Sequence, residues 1–196
     1  MVAEPHGRRW SVEDYLYLER TSLVKHEYVD GIVYALAGGT RAHSRIASNA
    51  ARLLEEALDA SPCRVFTSDM KVRITPRIFR YPDLSVSCDP RDDSMDQEDL
   101  DYITSPTLIL ETLSDSTSGE DQGPKFAEYR SIPTFREYIL AAADRMAVRV
   151  HRRQRDGTWI STDYGAGDEI ELESLGIRLA VSALYHKVRL RPSVSR

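Results

Sequence analysis

One acidic residue inside an otherwise apolar run is the feature that most constrains the fold of this 196-residue chain. Residues 107–113 read TLILETL, with Glu111 as the single charged position. A short, nearly continuous apolar run is typical of a central strand that is covered on both faces. Burying a lone carboxylate is costly, so Glu111 must face a cleft, pair with a base or bind a cation. The sequence therefore predicts a layered sheet built around this strand, with a polar feature at Glu111.

The remaining pattern predicts a mixed α/β layout around that strand. Capping residues and three- and four-residue apolar spacing predict helices at 11–20, 46–58 and 124–131. Asp30-Gly31 between two β-rich runs predicts a hairpin. Further strands are predicted at 63–74, 81–88, 136–140, 147–153, 159–164 and 170–173. We expect one central sheet flanked by helices, with an N-terminal helix and hairpin and C-terminal strands added to it.

The chain is expected to form a single domain over residues 1–196, with a basic tail at about 186–196. Residues 89–106 form the one long insertion, which we interpret as a surface loop or lid. No apolar run approaches the roughly 20 residues that a bilayer span requires. The first ten residues lack the apolar core of a secretion signal, so a cytoplasmic protein with no membrane partner is expected.

Charge and cysteine content exclude several functional classes. Lys and Arg total 26 against 31 Asp and Glu, giving a net charge of −5, which disfavours a nucleic-acid binder that relies on bulk positive charge. Any nucleic-acid role must use a local surface. Cys63 and Cys88 are the only cysteines, and we expect two reduced core thiols rather than a disulfide or a zinc site. The motifs of nucleotide triphosphatases, zinc proteases and serine hydrolases are absent from the sequence.

A second acid, Asp83, stands at the start of the β-rich segment 81–88. If this segment and 107–113 are neighbouring strands, facing side chains lie about 5 Å apart. Two carboxylates at that distance suit one Mg²⁺ or Mn²⁺ ion. The alternative is that Asp83 caps a strand and Glu111 forms a structural ion pair.

Lys125 lies in the first turn of the helix that follows the Glu111 strand. A lysine there could reach back over the same cleft, where it would orient a water or neutralise charge on a phosphate. The alternative is a surface lysine at a helix start, a position that the helix dipole makes slightly unfavourable for a cation.

Four segments together carry a family resemblance: His26-Glu27-Tyr28-Val29-Asp30-Gly31, Pro82-Asp83, Glu111-Thr112-Leu113-Ser114 with Ser116-Thr117, and Lys125-Phe126-Ala127-Glu128-Tyr129. In their order and spacing the sequence resembles the PD-(D/E)XK nuclease superfamily, and within it the bacterial domain-of-unknown-function group labelled putative restriction endonuclease. The resemblance spans residues 11–185. It implies a restriction-endonuclease-like core, with a mixed sheet flanked by helices, and divalent-metal-dependent cleavage of phosphodiester bonds.

Carried over by position, the resemblance assigns Asp83 and Glu111 as metal ligands. The superfamily pattern has a lysine two residues after the acid, where this chain has Leu113. In the group that this chain resembles the lysine is relocated to the following helix, which here means Lys125. Glu27 matches an additional acid that completes the metal site or positions a water, and its alternative is a glutamate at a hairpin edge.

Other polar residues are weaker candidates. His43 precedes the long helix and could contact a phosphate or lie at the surface. Asp69 and Lys71 alternate with apolar residues along a strand and could face the cleft or solvent. Asp121 could cap the helix that holds Lys125, and Tyr129 is a further candidate on that helix.

The sequence therefore predicts a Mg²⁺- or Mn²⁺-dependent endodeoxyribonuclease that hydrolyses DNA with a metal-activated water. A homodimer is expected, because two cuts across a duplex need two active sites. The alternative function is a non-catalytic nucleic-acid-binding or scaffold module that retains the nuclease fold.

Overall fold

The computed structural model describes residues 2–3, 9–93, 101–113, 119 and 123–190. Its α-helices are α1 (Val12–Thr21), α2 (Arg41–Leu58), α3 (Pro124–Tyr129) and α4 (Val181–Leu184), with a 3₁₀ turn at Pro90–Asp93. Its strands are β1 (Val2–Ala3), β2 (His26–Val29), β3 (Ile32–Ala35), β4 (Arg64–Thr67), β5 (Lys71–Thr75), β6 (Ile78–Arg80), β7 (Leu84–Ser87), β8 (Tyr102–Ile103), β9 (Leu108–Leu113), β10 (Glu137–Ala142), β11 (Ala147–Arg153), β12 (Trp159–Gly165), β13 (Glu169–Leu172) and β14 (Ile177–Ala180). The mixed α/β class predicted from the sequence is confirmed.

These strands form two six-stranded sheets and a separate hairpin rather than the one central sheet expected. The first sheet has the order β1-β3-β2-β6-β5-β8, and the second has the order β12-β11-β10-β9-β7-β4. Strand β9 lies between antiparallel β7 and parallel β10, so the apolar run does form a central strand. The third sheet is the hairpin β13-β14.

Two apolar layers cover the faces of the second sheet. One layer packs α2, through buried residues such as Ile46, Ala50 and Leu54, against Leu108 and Leu110 of β9. Burying each large aliphatic side chain stabilises the fold by about 1.5–3 kcal/mol. The other layer is shared between the two sheets and includes Val72 and Ile103 of the first sheet and, from the second sheet and α3, Ile109, Leu140, Tyr129 and Tyr138.

Local signals determine the N-terminal elements as predicted. Ser11 accepts a hydrogen bond from the Asp14 backbone N–H and caps α1. The β2–β3 hairpin turns at Asp30 and Gly31, which have φ angles of 49° and 92°. Two consecutive left-handed residues are what a two-residue hairpin loop requires, which explains the Asp-Gly pair.

Two segment predictions are wrong in detail. Residues 63–74 are not one strand, because a turn at 68–70 separates β4 of the second sheet from β5 of the first. Within 89–106, the 3₁₀ turn and β8 are regular structure, and β8 pairs in parallel with β5. This segment is therefore not simply a loop, although residues 94–100 lie outside the described residues.

The expectation of two reduced thiols is also wrong, because Cys63 and Cys88 form a disulfide. The register of the antiparallel pair β4–β7 places Arg64 opposite Ser87, so Cys63 and Cys88 follow as the next facing pair. Their Cα atoms are 4.0 Å apart. A spacing of 25 residues does not reveal this pairing, because only the strand register brings the two cysteines together.

Candidate active site

The candidate site lies where the chain passes from the first sheet to the second. Strand β6 of the first sheet ends at Arg80, and β7 of the second sheet begins at Leu84. Tyr81 and Pro82 connect the two sheets. Strand β7 pairs with β9 with Leu84 opposite Leu110, so Asp83 lies opposite Glu111, one position beyond the ladder. The two acidic segments are thus neighbouring strands, which is the condition that the sequence left open. We call Asp83 and Glu111 the acid pair.

Asp83 is fixed through both of its carboxylate oxygens. Its Oδ2 accepts a hydrogen bond from the Thr112 backbone N–H at 2.6 Å, and its Oδ1 lies 2.7 Å from His43 Nε2. His43 lies in the first turn of α2, where its backbone N–H donates to the side-chain hydroxyl of the cap residue Thr40. A Cβ atom at Gly39 would lie 3.0 Å from the His43 ring, so the glycine leaves room for this ring position. Asp83 is therefore oriented by β9 on one side and by α2 on the other.

Glu111 is buried and contacts the start of the β7 segment and two side chains of α3. Its Oε2 accepts a hydrogen bond from the Asp83 backbone N–H at 3.3 Å. Its Oε1 lies 3.3 Å from Lys125 Nζ and 3.4 Å from the Tyr129 hydroxyl. The second carboxylate of the pair is therefore in contact with both the first acid and the lysine of α3.

Lys125 is buried even though it lies in the first turn of a six-residue helix. Pro124 occupies the first helical position, where the missing N–H costs nothing. The ammonium lies between two acids, 3.3 Å from Glu111 Oε1 and 3.6 Å from Glu27 Oε1. The structure thus places the relocated lysine at the acid pair rather than on the surface.

Glu27 is fully buried and is bound through both oxygens. Arg80 Nη1 donates to its Oε2 at 2.8 Å, and the Tyr81 backbone N–H donates to its Oε1 at 3.0 Å. Arg80 also forms a bidentate salt bridge with Glu128 of α3, in which both hydrogen bonds are 2.8 Å long. Arg80 therefore ties β2 to the helix that holds Lys125.

The charges of this cluster do not cancel. Among the described side chains, and with His43 counted as neutral, four carboxylates face two cations, which leaves a formal charge of −2. The carboxylates are Glu27, Asp83, Glu111 and Glu128, and the cations are Arg80 and Lys125. A divalent cation would neutralise this excess. Mg²⁺ is commonly held by one or two carboxylates and completes its shell with water and phosphate oxygens. The donor chemistry of the acid pair therefore fits a hard divalent ion.

Glu27 is connected to the acid pair through Lys125, which contacts both Glu27 and Glu111. Across the described ranges, no group of three His, Cys, Asp or Glu side chains is placed to hold a metal ion. The metal-ligand role of Glu27 stays a prediction, and its contacts favour a role in holding Lys125.

Two of the remaining candidates, Lys71 and Asp69, lie away from the acid pair. Lys71 is buried with its ammonium 5.5 Å from the centre of the Tyr81 ring, and burial lowers the pKa of this lysine. Tyr81 donates its hydroxyl hydrogen bond to Glu19, so this group is distinct from the acid pair. Asp69 is exposed and pairs with Lys25. Asp121 lies outside the described residues.

Sequence reasoning missed two members of the cluster and underrated a third. Arg80 and Glu128 carry no local signal, because Arg80 meets Glu27 only through the register that pairs Tyr28 with Phe79. His43 was a weak candidate, and only the packing of α2 beside β7 shows its contact with Asp83.

Comparisons with known proteins agree with this fold. The crystal structure described as a putative nuclease belonging to DUF820, from Anabaena variabilis ATCC 29413, superimposes with a TM-score of 0.73 at 17% sequence identity. The match covers 89% of this chain and 97% of that one. This chain therefore shares the fold of that protein.

Two similar sequences come from Synechocystis sp. (strain ATCC 27184 / PCC 6803 / Kazusa). Uncharacterized protein slr1290 is 38% identical over 176 residues, which is 89% of this chain and 90% of that protein. Uncharacterized protein sll1609 is 33% identical over 169 residues, covering 84% and 93% respectively. The model of the Uma2 family, described as "Putative restriction endonuclease", matches residues 12–182. The chain belongs to this family.

Proposed function

We propose that this protein is a divalent-metal-dependent nuclease that hydrolyses DNA phosphodiester bonds. The observation that carries the proposal is the acid pair on neighbouring strands with a buried lysine in contact, in a cluster of net formal charge −2. Asp83 and Glu111 would hold Mg²⁺ or Mn²⁺. Such an ion polarises a phosphoryl oxygen and lowers the pKa of a bound water, which supplies a nucleophile near neutral pH.

In this proposal the residues around the acid pair have distinct roles. Lys125 donates hydrogen bonds to the attacking water or to a non-bridging phosphate oxygen, where its charge stabilises the transition state. Glu27 and Glu111 hold the ammonium between them. Arg80 fixes Glu27 and Glu128 and so sets the position of α3, the helix that holds Lys125. His43 and the Thr112 amide fix the carboxylate plane of Asp83.

The surface that binds DNA must carry local positive charge, because the net charge of the chain is −5. Arg41 and Arg45 are exposed on the first turns of α2, on the same helix as His43. The first turn of α2 contains no acidic residue, so the positive end of the helix dipole adds to these charges. We assign backbone phosphate contacts to this end of α2.

The second candidate is a nucleic-acid-binding or scaffold module without activity. The observation in its favour is that Lys125 is already ion-paired with two acids, a network that stabilises the junction of the sheets without any metal. A module of this kind would keep its fold and DNA affinity without requiring Mn²⁺.

DNA binding and cleavage separate the two candidates. Anisotropy titrations with labelled single-stranded and duplex DNA, run with Ca²⁺ at low salt, measure binding, and the same DNA with Mn²⁺ measures cleavage. The nuclease proposal expects binding that requires the divalent ion, falls steeply with salt and leads to cleavage. Binding without cleavage favours the module, and no binding with Ca²⁺ at low salt contradicts the nuclease.

The expected cytoplasmic location and the expected absence of a membrane partner remain predictions. Among the described helices, none combines the length and apolar character needed to cross a bilayer. The Cys63–Cys88 disulfide weighs against the expected cytoplasmic location, since disulfides are rare in reducing compartments.

A further inference from the structure

Strand β12 forms an edge of the second sheet and is exposed over Ile160–Asp163. In the described part of the chain, its outer side pairs with no strand. Natural edge strands are usually protected by charged side chains, lysine above all, or by proline, a bulge or a very short length. The one charged residue of β12, Asp163, is paired with Arg149 of β11. The seven residues of β12 contain neither proline nor lysine, and their pairing with β11 is unbroken from Trp159 to Gly165.

The hydrogen bonds at the start of the β11–β12 hairpin show which backbone groups point outward. The Gln154 N–H donates to Thr158 C=O, whereas the next residue back, Arg153, donates to Arg136 on the β10 side. Because the direction alternates along an antiparallel ladder, Trp159, Ser161 and Asp163 present their N–H and C=O groups to the free edge.

The outward series ends at Gly165. Its N–H donates to Asp168 Oδ2 at 2.6 Å, and its C=O accepts from the Asp168 N–H at 3.0 Å. The available edge is therefore the stretch from Trp159 to Asp163.

We propose that this edge pairs antiparallel with the same edge of a second copy of the chain, about a twofold axis at Thr162. Ser161 of each copy then lies opposite Asp163 of the other, and each of these two pairs exchanges two backbone hydrogen bonds. Thr162 faces its own counterpart, and Ile160 faces Tyr164. Thr–Thr and aromatic–β-branched pairs are favourable across strands.

The chemistry of the strand selects this register. Directly opposite residues share a face of the sheet, so the twofold axis must pass through a residue position. An axis at Asp163 would place two carboxylates opposite each other, which is unfavourable. An axis at Ser161 would place the Trp159 ring opposite Asp163. With the axis at Thr162, no like charges face each other along the strand.

This dimer does not depend on the proposed nuclease activity. Strand β12 runs in the same direction as β9, since each neighbouring pair between them is known. The twofold axis reverses that direction in the second copy, so the two acid pairs lie at opposite ends of the joined sheet. The dimer therefore does not arrange two sites for paired cuts across one duplex, which was the reason for expecting it from the sequence.

Light scattering on wild-type protein, Ser161→Pro and Ser161→Ala tests the proposal. Proline removes the outward N–H of Ser161 and leaves the bonds to β11, whereas alanine keeps that N–H and removes only the hydroxyl contact with His151. We expect wild type and Ser161→Ala to be dimers and Ser161→Pro to be a monomer with an unchanged circular dichroism spectrum. A monomeric wild type, or a folded Ser161→Pro dimer, overturns the proposal.

Cysteine cross-linking tests the register without relying on the proline variant. Facing residues of this kind have Cβ atoms about 4.5–5.5 Å apart, close to the spacing that a disulfide needs. Under mild oxidation we expect Thr162→Cys to form a covalent dimer and Ser161→Cys to remain uncross-linked. The native cysteines are already paired with each other. Cross-linking of Ser161→Cys but not of Thr162→Cys, or of neither, overturns the register.

Discussion

Two buried acids lie at opposite ends of neighbouring strands in this molecule, and their surroundings differ. Glu111 lies near the end of β9, and Glu137 begins β10, where it faces Leu108 at the start of β9. Glu137 accepts from Arg152 Nε at 2.8 Å, from the Ser174 hydroxyl at 2.5 Å and from the backbone amides of Glu173 and Ser174 at 3.1 and 3.2 Å. Arg152 also pairs with Glu173. Among the residues that line this end, three acids (Asp89, Glu137 and Glu173) are matched by three arginines (Arg136, Arg152 and Arg153).

The acid pair lies in a cluster with an excess of two negative charges, whereas the Glu137 end is neutral and held by fixed amides. Glu137 also lines a cavity of about 520 Å³, and the acid pair does not. We propose that the chemistry takes place at the acid pair, because carboxylates with an excess of negative charge favour binding of a divalent cation, whereas the charges around the Glu137 cavity balance. In this molecule, charge balance rather than burial distinguishes the two acids.

The first prediction concerns the contribution of Glu137 to the stability of the fold. Glu137→Ala leaves Arg152 without its buried partner and should lower the free energy of unfolding by about 3–5 kcal/mol. Glu111→Gln should change stability far less, because it removes charge from a cluster that has an excess of it. Urea unfolding monitored by circular dichroism measures both variants. Equal losses would show that the two acids have the same structural role.

The second prediction concerns the lysine at the acid pair. Lys125→Ala should lower the rate of DNA cleavage by roughly 10² or more, the usual size for loss of one such group, with little change in Mn²⁺ affinity. Lys71→Ala is the matched control, since Lys71 is also buried but contacts the Tyr81 ring. A larger loss in Lys71→Ala would move the catalytic lysine to β5.

The third prediction concerns His43, which fixes Asp83 from α2. His43→Ala should weaken Mn²⁺ binding by about 10-fold to 100-fold, the range seen when a residue that orients a metal ligand is removed. His43→Gln, whose amide can donate to the same oxygen, should restore part of this affinity. Calorimetry measures both. Unchanged Mn²⁺ affinity in His43→Ala would remove His43 from the site.

The smallest predicted effect lies back at the Glu137 end, where Asp89 also lines the cavity. A hydrogen bond from Arg91 lowers the pKa of Asp89 to about 2. A carboxyl whose pKa is lowered by folding stabilises the protein above its unfolded pKa, and this contribution disappears as the pH falls through its folded pKa.

Because Arg91 is largely exposed, solvent screening limits this contribution to below about 1 kcal/mol. Asp89→Asn should therefore lower stability slightly at pH 7, with an effect that shrinks as the pH falls and disappears below pH 2, as measured by thermal unfolding across pH. A loss of the same size at pH 7 and below pH 2 would assign the effect to packing rather than charge.

Local chemistry was sufficient to predict several elements. Asp30-Gly31 has the residues that a tight hairpin needs, and β11 has the predicted bounds, 147–153. The acid pair could also be found from the sequence, because both acids lie on or beside strongly β-forming runs. These signals depend on neighbours in sequence.

The remaining features depend on register and on contacts between distant segments. The split of 63–74 between two sheets follows from a turn at 68–70 that gives only a weak signal. The contact between Arg80 and Glu27 requires the pairing of β6 with β2, and the disulfide requires the pairing of β4 with β7. No composition or spacing rule specifies these partners.

A calorimetric Mn²⁺ titration of wild type, Asp83→Asn and Asp89→Asn tests the central claim, that the unbalanced acid pair holds a divalent ion. We expect wild type and Asp89→Asn to bind Mn²⁺ alike. Asp83→Asn should lose tight binding while it remains folded or becomes more stable, because two repelling carboxylates become one. Unchanged Mn²⁺ affinity in Asp83→Asn, or a wild type that binds no Mn²⁺, would contradict the account.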